Sequence, residues 1–290
     1  MPELPEVETV RRGLNKLIIG RAVKNVTSDT ARSFPNSPND VSAFLVGSKI
    51  IGVRRRAKVL MIDLSTNYTL VIHLKMTGQI VFVDNSSRFG AGHPNDSLVN
   101  SLPDKSTRVI FEFIDGSHLY FNDQRKFGWV RLIPTLEVPN IDFMKRVGPE
   151  PLEDDFSVKQ FTDRFKRRPR TTIKAALLDQ SVIAGVGNIY ADESLWGAKI
   201  HPSRLVNTIT DAEFKKLYTE VRAVMNLSIE KGGSTNRNYV NAEGKKGSYM
   251  DFARVFRREG LDCPRCGTEI IKIRVAGRGT HVCPACQADK

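Results

Sequence analysis

The sequence predicts an α+β protein built from three regions. Alternating apolar residues, typical of β-strands, fill most of residues 1–145 after one N-terminal helix. Apolar residues recur at helical spacing from about 150 to 230, and all four cysteines lie in the last 28 residues. We therefore expect an N-terminal domain over 1–145, a helical domain over 150–250 and a cysteine-containing domain over 252–290.

The first region begins with a helix that follows Pro5 and carries Glu6 and Glu8 at its front, where acidic side chains suit the helix dipole. Asp115-Gly116 is a hairpin signal, and the segment Asp84–Asp104, rich in Asn, Ser, Gly and Pro, predicts a long surface loop. The predicted strands are Val53–Leu64, Thr69–Leu74, Gln79–Val83, Thr107–Ile114 and His118–Asn122.

The second region shows helical periodicity over Ile173–Gln180 and Glu213–Met225. Between them, the glycine-containing stretch Ala184–Glu193 ends one helix and starts another. The polar, glycine-rich residues 232–249 predict a flexible loop.

The cysteines form two pairs, Cys263-Pro-Arg-Cys266 and Cys283-Pro-Ala-Cys286, separated by 16 residues. Two such pairs can place four thiolates tetrahedrally around one Zn²⁺, and a site with all four ligands filled is structural rather than catalytic. The alternating residues Ile270–Val275 predict a β-ribbon finger. The alternatives are two chance pairs or a redox motif. The ribbon also carries Lys272, Arg274 and Arg278, which could bind phosphates.

Charge and hydropathy restrict the class of partner. Lys and Arg total 44 against 32 Asp and Glu, a net charge of +12. Such an excess suggests a polyanionic partner, although solubility alone is an alternative explanation. No run of 18 apolar residues occurs, and the acidic start is unlike a signal peptide. We expect an intracellular protein without a membrane span.

The N-terminus is a candidate catalytic centre. Removal of Met1 would leave Pro2 with a free secondary amine, and N-terminal amines have a pKa near ~8, so part of the population is nucleophilic at neutral pH. Such an amine can form an iminium with a sugar, which is covalent catalysis of the Schiff-base kind. Glu3 stands beside it as a candidate proton carrier. The alternative is that Pro2–Glu6 is only a stiff start to a helix.

A series of motifs covers the whole chain in one order. They are Pro2-Glu-Leu-Pro-Glu-Val-Glu-Thr, Arg55-Arg-Ala-Lys-Val-Leu, His73-Leu-Lys-Met-Thr-Gly, Asp123-Gln-Arg-Lys-Phe-Gly, Leu177-Leu-Asp-Gln, Gly185-Val-Gly-Asn-Ile-Tyr-Ala-Asp-Glu-Ser-Leu, Gly232-Gly-Ser-Thr and Ala276-Gly-Arg-Gly-Thr-His-Val-Cys-Pro-Ala-Cys-Gln. Together they resemble the bacterial formamidopyrimidine-DNA glycosylases. The resemblance implies an N-terminal β-sandwich with flanking helices, a helix-two-turns-helix domain and a β-ribbon zinc finger.

The resemblance also implies catalytic roles. Pro2 would attack the lesion sugar, Glu3 would act as general acid and base, and Lys58 would serve β-elimination. Lys58 could instead be a phosphate-binding or surface lysine. Arg278 would bind the phosphates of the lesion and take part in δ-elimination. Because arginine does not readily lose a proton, we favour electrostatic stabilisation for Arg278.

The family flips the damaged nucleotide out of the duplex, and three matched side chains would fill the gap: Met76, Arg125 and Phe127. Without the resemblance, Met76 and Phe127 would be assigned to the core. The implied contacts to DNA phosphates are Lys126, Arg170, Lys174 and Asn188. Arg108 stands where many relatives carry a DNA-contacting histidine, and because arginine is also cationic we expect it to bind DNA there. Residues 232–249 match the segment that folds over the flipped base.

The implied function is excision of oxidised purines (8-oxoguanine, formamidopyrimidines) from duplex DNA, followed by β,δ-elimination at the abasic site. We expect one structural zinc ion and a monomer in the bacterial cytoplasm. One alternative is the sister glycosylase for oxidised pyrimidines, whose N-terminus usually has Gly where Leu4 stands here. Others are a non-catalytic damaged-DNA-binding protein on this scaffold, and a ribosomal or transcriptional zinc-ribbon protein, which would not explain the N-terminus.

Overall fold

The fold was obtained as a computed structural model that describes residues 2–93, 95–234 and 249–288. The chain divides into two compact units, one of Met1–Lys145 with Lys231–Ser248 and one of Arg146–Glu230 with Tyr249–Lys290. Within the described residues, no helix is both long and apolar enough to cross a membrane.

The described residues of the first unit form two antiparallel sheets. The strands are β1 (Val23–Ser28), β2 (Ile50–Arg56), β3 (Val59–Leu64), β4 (Tyr68–His73), β5 (Gly78–Val83), β6 (Arg88–Gly92), β7 (Thr107–Phe113), β8 (His118–Asp123) and β9 (Trp129–Pro134). One sheet has five strands in the order β1-β7-β8-β5-β6, and the other has four in the order β2-β3-β4-β9. The unit's helices are α1 (Leu4–Leu17), α2 (Pro38–Asp40) and α3 (Asp142–Arg146), the last of which ends at the unit boundary.

One apolar cluster unites the two sheets and α1. It contains Leu60 and Ile72 from the four-stranded sheet, Phe82 and Phe121 from the five-stranded sheet, and Val10 from α1, all fully buried. Alternation along each strand directs one set of side chains into this layer. The first unit is therefore a β-sandwich with a helix packed on it, as the family resemblance implies.

The structure corrects one predicted strand and one predicted loop, and it adds two strands that were not predicted. The predicted strand Val53–Leu64 is two strands, because Ala57 has a φ of 52° and turns the chain between β2 and β3. The sequence did not reveal β1 or β9. The predicted surface loop Asp84–Asp104 contains β6, which pairs with β5 along its whole length.

A close contact explains why β6 is ordered. The ring of Phe89 is buried and fills the space beside Gly13 of α1, where an added Cβ would lie 2.2 Å from the Phe89 Cζ atom. Only glycine leaves room for the ring. The segment is thus held by a helix that precedes it by more than seventy residues in the sequence.

A carboxylate on α1 connects that helix to β2. Glu8 accepts from Arg11 at 2.7 Å, from Arg12 at 2.9 Å and from Arg55 at 3.1 Å. Burial raises the pKa of Glu8, but the hydrogen bonds from Arg11 and Arg12 and the charges of Arg11 and Arg55 outweigh it. The pKa therefore falls to about 2. A carboxyl group with a lowered pKa stabilises the fold where it is ionised.

We expect Glu8→Gln to lower the free energy of unfolding by about 1–2 kcal/mol at pH 7, a value reduced for the solvent exposure of Arg12. The folded pKa lies below the unfolded one, so this stabilisation is complete above about pH 5 and is lost as the pH falls toward 2. Urea unfolding across pH 3–7 would measure it. Glu112→Gln, which removes an exposed pair with Lys24, is the control. If the difference in the free energy of unfolding between the wild type and Glu8→Gln did not change with pH, this account would be contradicted.

The second unit is helical and ends in a two-stranded ribbon. Its longest helices, α6 (Asn188–Ala198) and α7 (Asp211–Glu230), pack against each other. The ribbon strands pair antiparallel from Ile271 with Val282 to Val275 with Arg278. The elements are α4 (Val158–Lys166), α5 (Ile173–Leu178), α6 (Asn188–Ala198), α7 (Asp211–Glu230), β10 (Ile271–Val275) and β11 (Arg278–Val282). The helical character, the break before Asn188 and the ribbon are confirmed.

Candidate active site

The buried start of α1 carries the predicted nucleophile and proton carrier. Pro2 and Glu3 are buried, and Glu3 has the extended backbone of an N-cap residue, with Pro5 in the first turn of the helix. The Glu3 backbone N–H donates to Glu6 Oε2 at 2.8 Å, and the Ser234 N–H donates to Glu6 Oε1 at 2.8 Å. One carboxylate thus holds two backbone segments, which fixes the residues that follow the N-terminus.

Ser234 ends the described part of the predicted lesion-capping segment. Residues 235–248 of the 232–249 loop lie outside the described residues, as does Met1.

Lys58 occupies the turn between β2 and β3 and is 5% exposed. Arg55 supports this turn, because it pairs with Glu8 and donates from Nη1 to the Ala57 carbonyl at 3.1 Å. Burial, followed by the charges of Lys75 and Lys58, lowers the pKa of His73 to about 3. His73 is therefore neutral at physiological pH. The low exposure of Lys58 places it in a buried environment rather than on an open surface.

Two turns of the sandwich present the predicted gap-filling side chains. Met76 is half-buried in the turn between β4 and β5, while Arg125 and Phe127 are exposed in the turn between β8 and β9. Pairing of Gly78 with Asp123 brings the two turns to the same end of the sheet. The structure therefore brings all three side chains to one region.

Phe127 does not belong to the core. It is 44% exposed, and the Arg125 guanidinium lies over its ring at 4.8 Å from the centroid. The core alternative for Phe127 is therefore wrong.

Arg108 is not available to DNA. Its side chain is buried and donates to Asp29 Oδ2 at 2.6 Å, to the Asp123 carbonyl at 2.8 Å and to the Lys105 carbonyl at 2.6 Å. The prediction that Arg108 contacts DNA is wrong here, because its guanidinium is used inside the protein. It supports the strand end at Asp123 instead.

Lys174 is also committed to the interior. It is 0% exposed, and its ammonium donates to Asp192 at 2.6 Å, to Thr280 Oγ1 at 2.7 Å and to the Gly279 carbonyl at 3.3 Å. A fully buried ion pair of this kind cannot reach a phosphate without breaking. We correct its predicted role: Lys174 joins α5 to α6 and to the ribbon next to Arg278.

Asn188 begins α6 after the turn that contains Gly185 and Gly187. Its side-chain amide donates to the Gly279 carbonyl at 3.0 Å, and its Oδ1 has no hydrogen-bond partner among the described residues. Gln180 holds the turn, because it accepts from the Gly185 N–H and donates to the Val186 carbonyl. Gln180 therefore fixes the backbone of the turn directly before α6, and the phosphate contact at Asn188 stays a prediction.

Lys126 and Arg170 remain exposed cations. Each phosphate contact on duplex DNA adds about 0.9 to the slope of log affinity against log salt. We expect Lys126→Ala and Arg170→Ala each to reduce the slope by about that amount, on damaged and undamaged duplex alike. Lys159→Ala, which removes an exposed cation of α4 paired with Asp163, should leave the slope unchanged. Salt titration of binding would measure this, and an unchanged slope would remove either residue from the phosphate contacts.

The four cysteines come together in the finger. Their Sγ atoms all lie within 4.8 Å of one another, and the Cys266–Cys286 and Cys266–Cys283 sulfurs are 3.4 and 3.5 Å apart. A tetrahedral zinc site with Zn–S bonds of about 2.3 Å separates its sulfurs by about 3.8 Å, whereas a disulfide needs about 2.05 Å. The sulfur arrangement therefore fits zinc and excludes a disulfide.

Arg278 is exposed at the hairpin between β10 and β11. Ala276 and Gly277 both have positive φ, 50° and 72°, which is the pattern of a tight hairpin turn. Arg278 is therefore presented at a defined position on the ribbon rather than in a loose loop.

Sequence reasoning missed the residues that hold the finger. Trp196 of α6 donates to Cys263 Sγ at 3.4 Å and packs in the apolar cluster under the cysteines. Asp192 accepts from the His281 N–H at 3.0 Å, and Glu193 accepts from the backbone N–H groups of residues 254–256. The available signal was an Asp-Glu pair between the apolar residues Ile189-Tyr-Ala and Leu195-Trp, because acids that are buried require partners.

Three family models match successive parts of the chain. They are the formamidopyrimidine-DNA glycosylase N-terminal domain over residues 1–130, the formamidopyrimidine-DNA glycosylase H2TH domain over 147–240, and a zinc finger found in FPG and IleRS over 260–288. Together with the cysteine geometry, they define a zinc-finger DNA glycosylase with one structural zinc ion.

Full-length relatives agree with this class. The chain is 45% identical to a formamidopyrimidine-DNA glycosylase of Pediococcus pentosaceus over 287 residues, 99% of each chain. It is 41% identical to one from Pelotomaculum thermopropionicum over 293 residues, 100% of each. A mutant of the Lactococcus lactis FPG, solved in complex with Fapy-dG-containing DNA, superposes with a TM-score of 0.86 at 35% identity, over 99% of this chain and 100% of that one.

The chain belongs to the formamidopyrimidine-DNA glycosylase family. It is an enzyme of base excision repair that acts on damaged purines, a DNA glycosylase with the AP lyase activity of its family.

Proposed function

We propose that the protein excises 8-oxoguanine and formamidopyrimidines from duplex DNA and cleaves the abasic product by β,δ-elimination through a Schiff base at Pro2. The observation that carries this proposal is the buried start of α1, where Glu6 holds the backbone of Glu3 directly after the nucleophile. A fixed secondary amine next to a buried carboxyl group supports covalent attack on a sugar with proton transfer.

Each step of excision and strand cleavage is assigned to a particular residue. The Pro2 nitrogen forms a bond to the sugar's anomeric carbon as the bond to the base breaks, and opening of the sugar ring gives an iminium. Glu3 carries the protons that the sugar oxygen gains and the amine loses. Two eliminations follow, each of which removes one sugar proton: a C2′ proton as the 3′ phosphate leaves, and then the C4′ proton as the 5′ phosphate leaves. Lys58 supports the first of these steps, and Arg278 neutralises the phosphates.

DNA is the proposed partner on independent grounds. The net charge is +12, Lys126 and Arg170 are exposed, and the solved structures of relatives include complexes with DNA that contains an abasic site or carbocyclic 8-oxo-G. Leu4 and the exposed Arg125–Phe127 pair favour the purine enzyme over its pyrimidine-specific sister. The bacterial relatives support a cytoplasmic location.

A lesion panel tests this function. The trimmed protein is incubated with duplexes that carry 8-oxoguanine, a formamidopyrimidine, an oxidised pyrimidine or undamaged guanine, and the strand ends are resolved by electrophoresis. We expect purine lesions to give a one-nucleotide gap with phosphate at both ends. Preferential cleavage at the pyrimidine lesion would favour the sister activity, and binding without cleavage would favour a non-catalytic protein.

Phe127→Ala tests base flipping. A paired lesion must be unstacked, whereas an abasic site has no base to extrude. We expect the variant to slow single-turnover excision of 8-oxoguanine opposite cytosine at least about tenfold more than cleavage of a preformed abasic site. Each tenfold corresponds to about 1.36 kcal/mol of lost barrier stabilisation. Equal losses on both substrates with a lowered melting temperature would contradict the wedge assignment.

A further inference from the structure

A buried carboxylate underlies the turn that carries Arg125 and Phe127. Asp123 ends β8 and is 0% exposed. Its Oδ2 accepts from the backbone N–H groups of Phe127 at 2.8 Å and Gly128 at 2.6 Å, and its Oδ1 accepts from the Arg125 N–H at 3.2 Å. Both oxygens therefore hold the backbone of the turn rather than a charged side chain.

The same carboxylate reaches the turn that carries Met76. The Thr77 hydroxyl donates to Asp123 Oδ1 and accepts from the Arg125 N–H at 3.1 Å. Thr77 follows Met76 directly. A single pair of side chains, Asp123 and Thr77, thus connects the two turns that present the gap-filling residues.

The geometry of the turn needs such support. Lys126 has a φ of 55°, a left-handed conformation that is uncommon for a residue with a side chain. Gly128 has no room for a Cβ, which would lie 2.7 Å from Phe121 Cζ and 3.0 Å from the His73 carbonyl oxygen. Hydrogen bonds from three backbone amides to one carboxylate offset the cost of this conformation.

The backbone of Asp123 is also fixed. Arg108 donates from Nε to the Asp123 carbonyl at 2.8 Å, and the Asp123 N–H donates to the Ser106 carbonyl at 2.7 Å. Because the Arg108 guanidinium also pairs with Asp29, the base of the turn is anchored in the sandwich.

We propose that Asp123 is the positioning residue of the wedge. It acts through Arg125, Phe127 and, by way of Thr77, Met76, and it holds them in the inserting conformation before DNA binds. A preformed wedge loses little conformational freedom on insertion, so flipping a paired base is faster. This inference rests on the proposed function, because it presupposes that these side chains enter the duplex.

Asp123→Asn is the first test. An amide retains one acceptor oxygen and places an NH₂ group against backbone N–H donors, so the turn loses its pattern of hydrogen bonds at nearly constant volume. We expect excision of 8-oxoguanine opposite cytosine to slow at least about tenfold more than cleavage at a preformed abasic site. Active protein is counted by borohydride trapping on abasic DNA, so partial unfolding does not distort the rates.

Thr77 supplies a matched pair that leaves Asp123 in place. Thr77→Val removes only the hydroxyl group and should reproduce the selective loss to a smaller degree. Thr77→Ser keeps the hydroxyl group and should recover most of the lost excision rate. A structural role alone would lower the melting temperature and slow both substrates equally.

A double-variant cycle distinguishes the wedge assignment of Phe127 from the positioning role of Asp123. If Asp123 acts through the wedge, Asp123→Asn should cost less in the Phe127→Ala variant than in the wild type, because one of the side chains that it positions is already gone. Additive losses, or equal losses on both substrates, would overturn the positioning role. If Phe127→Ala slows both substrates equally, the wedge assignment fails. If Phe127→Ala slows excision of the paired lesion more than abasic-site cleavage, but Asp123→Asn and Thr77→Val slow both equally, only the role of Asp123 fails.

Discussion

Pro2→Gly is expected to lower the rate of lesion excision at least about a hundredfold, which corresponds to about 2.7 kcal/mol of barrier height. The variant keeps an N-terminal amine of similar basicity, but a primary one. A secondary amine gives an iminium that stays positively charged, because its nitrogen has no proton to lose. A primary amine gives an imine that becomes an electron sink only when protonated.

The control for this prediction is Pro5→Ala, a second proline in the same buried helix start. If Pro2–Glu6 served only to start the helix, the two substitutions would reduce stability and activity to a similar degree. We expect Pro5→Ala to change the melting temperature while excision stays within a few-fold of wild type. Single-turnover rates and melting curves of both variants would decide between the two explanations.

Loss of the finger is the second large effect. Cys283 is 0% exposed and packs beside Trp196. We expect Cys283→Ser to lose the bound zinc and to weaken binding to lesion DNA at least about tenfold. The fold of a structural zinc site depends on its metal, and binding there is worth about 10–16 kcal/mol in isolated fingers. The metal content is measured by atomic emission and the affinity by titration.

Glu269→Gln is the matched control, because Glu269 is an exposed finger residue that is not a ligand. It should keep one zinc per chain and near-normal affinity. Treatment of the wild-type protein with a chelator should reproduce the defect, and added zinc should reverse it. Normal binding by a metal-free protein would show that the zinc is dispensable for DNA recognition.

Local chemistry explains which predictions succeeded. The cysteine spacing specifies its metal site because ligand geometry depends on a few adjacent residues. The helix break before Asn188 follows from two glycines in the same short stretch. Such features depend on neighbours along the chain, so a sequence alone can reveal them.

The roles of the buried cations depend on distant partners instead. Arg108 pairs with Asp29 at a separation of 79 residues, and Lys174 meets Thr280 at a separation of 106. A basic residue in a DNA-binding protein suggests a phosphate contact, but burial and a paired carboxylate override that expectation. Strand β6 was missed for a related reason. Its pairing with β5 and the packing of Phe89 against Gly13 are tertiary contacts, which the local sequence does not reveal.

Trapping of the covalent intermediate tests the central claim most directly. The trimmed protein is mixed with duplex DNA that contains 8-oxoguanine, borohydride is added, and the adduct is digested and mapped by mass spectrometry. Our account predicts one reduced sugar–phosphate remnant on the N-terminal peptide, attached to the Pro2 nitrogen. An adduct on Lys58 with Pro2 unmodified would contradict it.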